Sequence, residues 1–176
     1  SHVDTTAIKT AREGGATAVL ARSRFVSALP ELILKYSRKL DPDGLHQACQ
    51  EALVSLAVEG LELFNRHDYF EAHEILEEAW KADHTPGREL YRGVLQVAVA
   101  YMQIERGNYN GAAKMFLRMR QWLDPLPDIC RGINVARLRA DAYAAHEALL
   151  ALGPKRVGEF DRGLLKPVYW TTGDGI

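Results

Sequence analysis

The residues best suited to chemistry lie close together in the segment 68–80, DYFEAHEILEEAW. On a helical wheel of about 100° per residue, His73 and Glu77 fall on the same side. A histidine and a glutamate at this spacing can both reach one divalent metal ion, which then needs a third ligand. The candidates for that ligand are three further histidines, none of which is fixed by its spacing: His67, His84 and His146.

A second segment, 88–106, supplies polar partners for this pair. It is apolar nearly all round the helical wheel, which is typical of a buried central helix, yet it carries one arginine and two glutamines on one side. Buried polar groups need hydrogen-bond partners, and a buried arginine needs an anion. We therefore expect a polar pocket between the two helices, formed by His73, Glu77, Arg92, Gln96 and Gln103 and edged by Trp80 and Tyr101.

Other catalytic motifs do not fit these residues. A di-iron site of the ferritin type needs Glu-x-x-His on two helices, whereas Phe70 stands three residues before His73. The sequence has neither a nucleophile elbow nor a glycine-rich phosphate loop. A hydrogen-bond network, with or without a small bound ligand, and a metal site remain as the two interpretations of the polar pocket.

The elements that must position these residues are helices. Apolar side chains recur at helical spacing, and turn signals separate them: Asp41-Pro42-Asp43-Gly44, Thr85-Pro86, Gly107, Pro125 and Pro127, and Gly153-Pro154. Asp68 is the expected N-cap of the helix that carries His73. The predicted helices span about 45–65, 68–82, 88–106, 110–123 and 133–152.

An internal repeat with an offset of 40 residues shapes the fold prediction. Asp68-Tyr69 recurs as Asn108-Tyr109, and Ala72 recurs as Ala112. Each unit is a long helix, a short turn and an amphipathic helix. The sequence therefore predicts an all-α, compact helical bundle built around two related antiparallel helical hairpins, at about 45–82 and 88–123. His73 and Glu77 align with Ala113 and Leu117, so the polar residues belong to the first hairpin only.

The chain is long enough for a single domain with its own core, and we expect one domain over 1–176. A basic helical arm, 1–40, leads into the core, with Pro30 in the first turn of a helix that ends at Leu40. We expect this arm to pack on the bundle, the alternative being a contact arm for a partner. A C-terminal helix follows in 125–176, and its loose tail ends in a stretch rich in glycine and threonine.

Composition and charge narrow the classes of partner and location. The net charge of −1 gives no basis for binding nucleic acid or an anionic membrane, and no apolar run is long enough to span a bilayer. No signal peptide is visible. Cys49 and Cys130 lie far apart and lack a CxxC spacing, so we expect two reduced thiols in a soluble, cytoplasmic protein.

Segments 70–80 (FEAHEILEEAW) and 91–98 (YRGVLQVA), followed by Arg106-Gly107-Asn108 and Gly111-Ala112, resemble the domain of unknown function 309 family. The resemblance covers about 50–123. It implies a small all-α fold, chiefly prokaryotic, with no settled activity. A histidine is common in that family at the position of Gln103, and this departure weakens a metal site there.

Two function classes follow from these features. The first is a helical binding or scaffold domain whose pocket holds a small anion or a side chain of a protein partner. The alternative is a metal-dependent enzyme, such as a hydrolase, that uses His73 and Glu77. An acidic face (Glu71, Glu74, Glu78), a basic face (Lys114, Arg118, Arg120) and the residues Trp80, Tyr101 and Met102 are also compatible with a homodimer.

Overall fold

The computed structural model describes residue 20 and residues 22–36 and 41–171. This part of the chain forms eight α-helices and one two-stranded sheet, which confirms the expected all-α class. The chain divides into two compact units, 1–40 and 41–176. The expected single domain over 1–176 stays a prediction.

The first unit contains two short helices, α1 (Arg22–Ser27) and α2 (Leu29–Tyr36). Pro30 lies in the first turn of α2, as predicted, because a proline there loses no helical hydrogen bond. Most of the remaining predicted arm, including the expected helix end at Leu40, lies outside the described residues.

The second unit is built from six α-helices with short connections. They are α3 (Pro42–Cys49), α4 (Ser55–Asn65), α5 (Tyr69–Ala82), α6 (Glu89–Glu105), α7 (Tyr109–Leu123) and α8 (Val135–Leu152). Three 3₁₀ turns complete it: Pro86–Arg88, Val157–Glu159 and Arg162–Leu164. Helix α6 packs against both α5 and α7, α4 packs against α5, and α8 packs against α7.

Helix α6 is the central helix, as its apolar sequence predicts. Eleven of its 17 residues are buried, so it has almost no face for solvent. Gly93 allows α7 to approach closely, because a Cβ atom there would lie 2.3 Å from Leu123 Cδ2. The polar side chains of α6 therefore emerge only along a narrow line between its neighbours.

The turns that follow α4 and α6 have the same hydrogen-bond pattern, 40 residues apart. Asp68 N donates to Leu63 O at 3.0 Å, and Asn108 N donates to Gln103 O at 2.8 Å. The residue before each donor, His67 or Gly107, has a φ of +69°. The matched geometry agrees with the 40-residue offset, and the relation between the two hairpins as a repeat stays a prediction.

The N-caps of the two second helices differ in one detail. Asn108 Oδ1 accepts from Gly111 N at 3.0 Å, whereas the Asp68 side chain makes no capping hydrogen bond. Asp68 is thus the N-cap residue of α5 by position, as expected, and the side-chain bond expected of it is absent.

The single helix expected over 45–65 is two helices in the structure. Helix α3 ends at Cys49 and α4 begins at Ser55.

Cys49 forms a disulfide with Cys130, with a Cα–Cα distance of 4.3 Å, so the expectation of two reduced thiols is wrong. The two cysteines are 81 positions apart, and the chain between them folds back and brings the two sulfurs together, which spacing in the sequence does not reveal. The cytoplasmic location, which drew on reduced thiols, stays a prediction.

Cys130 lies in a small hairpin that the sequence-based prediction missed. Strands β1 (Ile129–Cys130) and β2 (Ile133–Asn134) pair antiparallel. The two turn residues, Arg131 and Gly132, have φ values of +52° and +79°. Positive φ at both central positions gives the twist that a two-residue hairpin requires. Gly132 is also fixed by space, because a Cβ atom would lie 2.4 Å from Thr171 O.

The chain after α8 packs more tightly than expected. Helix α8 ends before Gly153, as predicted, where φ is +71°. Beyond it, Phe160, Leu165 and Val168 are buried, and Asn65 makes two 2.8 Å hydrogen bonds with the Val168 backbone. The expectation of a loose tail is therefore wrong for 157–171, while 172–176 lies outside the described residues.

Within the described ranges, no helix is long and apolar enough to cross a membrane.

Candidate functional site

The predicted metal-binding pair lies on α5 at the protein surface. His73 Nδ1 is 3.1 Å from Glu74 Oε1, and Glu77 Oε1 is 3.2 Å from Lys81 Nζ. The Glu77 side chain is 38% exposed. Glu77 thus forms an ordinary surface ion pair with a lysine one turn along its own helix. It does not lie in a closed pocket.

Arg92 on α6 is held by aromatic rings. Its guanidinium carbon lies 3.9 Å from the centre of the Trp122 ring and 4.8 Å from that of Trp80. Both distances are within the range for attraction between a cation and the face of an indole ring. The side chain is 37% exposed, and its ion pair is a long one, 4.0 Å to Glu89 Oε2.

The expected buried ion pair between Glu77 and Arg92 is therefore absent. Lys81 is closer to Glu77 because it lies four residues further along the same helix. The flat guanidinium of Arg92 instead stacks on indole rings from α5 and α7, which neighbour α6 on both sides. These two rings and the long ion pair with Glu89 hold this arginine between the helices.

A second arginine lies beside this stack. The guanidinium carbon of Arg88 is 5.3 Å from the centre of the Trp80 ring, and Arg88 Nε is 3.7 Å from Glu89 Oε1. Glu89 is largely buried between the two arginines, with a side chain 10% exposed. The group formed by Arg88, Glu89 and Arg92 therefore carries one net positive charge. We call Trp80, Arg88, Arg92 and Trp122 the arginine–tryptophan surface.

Two polar atoms next to this surface are buried. Trp80 Nε1, a donor, and Gln96 Oε1, an acceptor, have no hydrogen-bond partner in the part of the chain that the structure describes. A buried polar group without a partner costs about 1–3 kcal/mol. The structure places the ring of Trp80 next to the Arg92 guanidinium, while Gln96 makes no hydrogen bond to His73, Glu77 or Arg92.

Tyr101 and Gln103 belong to other parts of the fold. Tyr101 is fully buried among the rings of Phe64, Tyr69 and Phe116, at centroid distances of 5.6, 5.5 and 6.2 Å. Burial raises the pKa of Tyr101 far above its usual value. Gln103 Oε1 accepts from Asn108 Nδ2 at 2.7 Å, in the turn after α6. Tyr101 therefore does not edge a pocket, because its ring completes the aromatic core.

One group of side chains has ligand atoms close enough for a metal ion. The atoms of His73, Glu74 and Glu77 lie within 4.8 Å of one another, and no larger cluster of this kind occurs among the described residues. Each of the three further histidines lies elsewhere: His67 stacks on Tyr69, His146 stacks on Phe116, and His84 lines a cavity near Arg131. A metal bound at His73 would therefore take its protein ligands from one exposed helix.

The most extensive polar network surrounds Arg131, which sequence reasoning missed. Its side chain is 2% exposed, and each of its five N–H groups donates to an oxygen atom. The acceptors are Ala48 O (3.1 Å) for Nε, Asp83 Oδ2 (2.6 Å) and the Tyr91 hydroxyl for Nη1, and Glu51 Oε2 (2.8 Å) and Thr85 Oγ1 (2.9 Å) for Nη2.

The Arg131 network joins distant parts of the chain. It connects α3, the end of α5, the start of α6 and the β-hairpin, next to the disulfide of Cys130. Burial by itself would raise the pKa of Asp83. Hydrogen bonds from Thr85 and Arg131 outweigh it and lower that pKa below its usual value. Because every donor of Arg131 is occupied, this network holds the fold together and offers no N–H group to a ligand.

A shallow cavity of about 270 Å³ lies against this network, with apolar walls from α4 and α5. Asp83, Glu51, Arg131 and His84 form its polar side. Arg131 pairs with both carboxylates, so the two acidic groups and the guanidinium are already engaged.

Comparison with known families concerns the middle of the chain. Residues 57–115 match the model of a family described as domain of unknown function (DUF309). The resemblance seen in the sequence is confirmed. We call 57–115 the DUF309 segment. It includes Trp80, Arg88 and Arg92, whereas Trp122 and Arg131 lie beyond its end.

Two relatives also match, and both are uncharacterised. The chain is 33% identical to a protein of Aquifex aeolicus over 96 residues, which is 54% of this chain and 27% of that protein. It is 45% identical to the protein YpuF of Bacillus subtilis over 56 residues, 31% of this chain and 32% of YpuF. The chain thus spans about a third or less of each relative. Neither name assigns a ligand or a reaction to the DUF309 segment.

Proposed function

We propose that this protein is a helical binding domain that recognises an acidic partner segment through its arginine–tryptophan surface. The observation that carries the proposal is the state of Arg92. Its guanidinium is fixed by two rings and partly exposed, and in the described part of the chain it makes no hydrogen bond of ordinary length.

The geometry favours a carboxylate as the group that binds. A guanidinium presents a rigid fork of N–H donors that matches the two oxygens of a carboxylate. A guanidinium that stacks on an aromatic face keeps the edge of its fork available, and that of Arg92 lies over two indole rings. Arg88 adds a second donor beside it, and the net positive charge of the group attracts an anion.

The test is a titration with a hexaglutamate peptide, followed by tryptophan fluorescence. Trp170→Phe serves as the background, so that the signal comes from Trp80 and Trp122 alone. In this background we expect Arg92→Gln to weaken binding by about tenfold or more, because a hydrogen bond to a charged group contributes about 1.5–3 kcal/mol. Arg92→Lys keeps the charge but loses the planar fork of donors. Its affinity should therefore lie between those of the background protein and Arg92→Gln.

Arg106→Gln is the matched control. Arg106 is exposed just after the opposite end of α6, with no ion pair among the described residues, and its loss removes the same charge. We expect this variant to bind like the background protein. Equal weakening by Arg92→Gln and Arg106→Gln would reduce the effect to net charge and refute the proposed surface.

A metal-dependent enzyme is the second candidate, supported by the 4.8 Å cluster of His73, Glu74 and Glu77. Lys81 competes with a cation for Glu77, which weakens this candidate. Elemental analysis of the purified protein and a thermal melt titrated with zinc decide it. A stoichiometric metal that is lost in His73→Ala would favour the enzyme over the binding domain.

A further inference from the structure

Helices α5 and α7 expose stripes of opposite charge at equivalent positions. Glu74 and Glu78 on α5 are exposed, and the residues 40 positions later on α7, Lys114 and Arg118, are exposed as well. The turns before the two helices share their hydrogen-bond pattern, so the two stripes begin at the same point of each hairpin. The first hairpin thus has acidic side chains at the positions where the second hairpin has basic ones.

Most of these charged side chains have no ion-pair partner among the described residues. Glu78, Lys114 and Arg118 make no ion pair there, and Glu74 pairs with His73 only. Arg120, by contrast, is paired with Asp124 and lies over the ring of Tyr143. Charges without partners on one helix repel one another at one-turn spacing. Each stripe would therefore gain from a surface of the opposite sign.

Each stripe also carries a large apolar side chain. Phe70 on α5 is 51% exposed, one turn before Glu74, and Leu117 on α7 is 59% exposed, next to Arg118. Exposed apolar residues with charges around them are typical of contact surfaces. The apolar residues supply buried area, and the charges supply the orientation.

We propose that the partner of this surface is a second copy of the chain, with the acidic stripe of α5 (Phe70, Glu74, Glu78) seated on the basic stripe of α7 (Lys114, Leu117, Arg118). A single chain carries both complementary surfaces, so no other molecule is needed. Two short stripes give a small contact, and the association is weak, transient and dependent on salt. It does not involve Arg92 and stands apart from the arginine–tryptophan surface.

Sedimentation velocity of the full chain over a concentration series tests this contact. At an ionic strength of roughly 0.01 M the screening length is about 30 Å, and at roughly 1 M it is about 3 Å. We expect the wild-type protein to associate with rising concentration in low salt and to sediment as a monomer in high salt. A wild-type protein that stays monomeric throughout the low-salt series would overturn the proposal.

Variants with reversed charges test whether the stripes of α5 and α7 form the contact. Glu74→Lys/Glu78→Lys and Lys114→Glu/Arg118→Glu should each weaken self-association by about tenfold or more, because like charges then face one another. The fourfold variant, with both stripes reversed, should recover it. Failure of the fourfold variant to recover association would contradict the pairing.

The matched control is Glu59→Lys/Glu147→Lys, which makes the same charge change at exposed positions on α4 and α8. It should associate as the wild type does, and weakening equal to that of Glu74→Lys/Glu78→Lys would refute a specific contact. Arg92→Gln should also leave self-association unchanged. This separates the contact from the proposed acidic-peptide binding, and either result can fail without the other.

Discussion

Two arginines of this protein differ in almost every respect except their charge. Arg131 is buried, and all five of its N–H groups donate to oxygen atoms. Arg92 is partly exposed, stacks on Trp80 and Trp122, and has one long ion pair. A saturated arginine has no donor left for a partner, whereas a stacked arginine keeps its edge free. Arg131 therefore has a structural role, and the geometry of Arg92 supports a binding role.

Removing Arg131 should have the largest effect on stability. Arg131→Met leaves the carboxylate of Asp83, whose side chain is 8% exposed, without the guanidinium that pairs with it. Breaking a buried charge pair by deleting one partner costs about 3–5 kcal/mol. We expect a loss of that size in the free energy of unfolding, measured by urea denaturation.

Arg92→Met is the control for this comparison and should cost only about 0–1 kcal/mol, because Arg92 is partly exposed and its ion pair is long. Equal losses of unfolding free energy in Arg131→Met and Arg92→Met would contradict the different roles of the two arginines.

The disulfide should stabilise the same region by a smaller amount. Cys49 and Cys130 close a loop of 81 residues, and a native disulfide typically contributes about 2–4 kcal/mol. Urea denaturation with and without dithiothreitol measures this contribution. Cys49→Ala/Cys130→Ala should be less stable than the oxidised protein and should not respond to the reductant. A reductant effect that persists in this variant would place its cause outside the disulfide.

The free energy of unfolding should depend on pH in the acid range, because Asp83 belongs to the Arg131 network. Its pKa is lowered in the folded state from a usual value of 3.8, so the stabilisation is present above that value and is lost as the pH falls through the folded-state pKa. We expect the free energy of unfolding to fall in this acid range and Asp83→Asn to remove part of the slope. An unchanged slope in Asp83→Asn would show that other carboxylates account for it.

The smallest effect is expected at Glu77. Its partner Lys81 is 60% exposed, and surface ion pairs contribute about 0–1 kcal/mol. Glu77→Gln should therefore change the unfolding free energy by less than about 1 kcal/mol. A loss of about 3–5 kcal/mol would restore the buried pair with Arg92 that the sequence suggested.

Local signals predict the helices of this protein well. Pro30, Asp41, Thr85-Pro86, Gly107 and Gly153 each act within a few residues, and each lies at a helix end or in a first turn as expected. The apolar pattern of α6 likewise predicts its central place, because burial on all sides needs apolar residues on all sides.

The Arg131 network could not be predicted in the same way, because its partners lie 40 to 83 residues away along the chain. A buried arginine needs an anion, and in this fold the buried arginine is Arg131, whereas the sequence indicates Arg92. Two signals were present in the sequence: an even number of cysteines, and an Arg-Gly pair between two short apolar runs.

Titration of the Arg92→Gln variant with hexaglutamate, beside the Trp170→Phe background and Arg106→Gln, tests the binding role of Arg92 most directly. We predict that Arg92→Gln loses about tenfold or more in affinity while its free energy of unfolding stays within about 1 kcal/mol of the background. Unchanged affinity in Arg92→Gln would contradict the role given to this arginine.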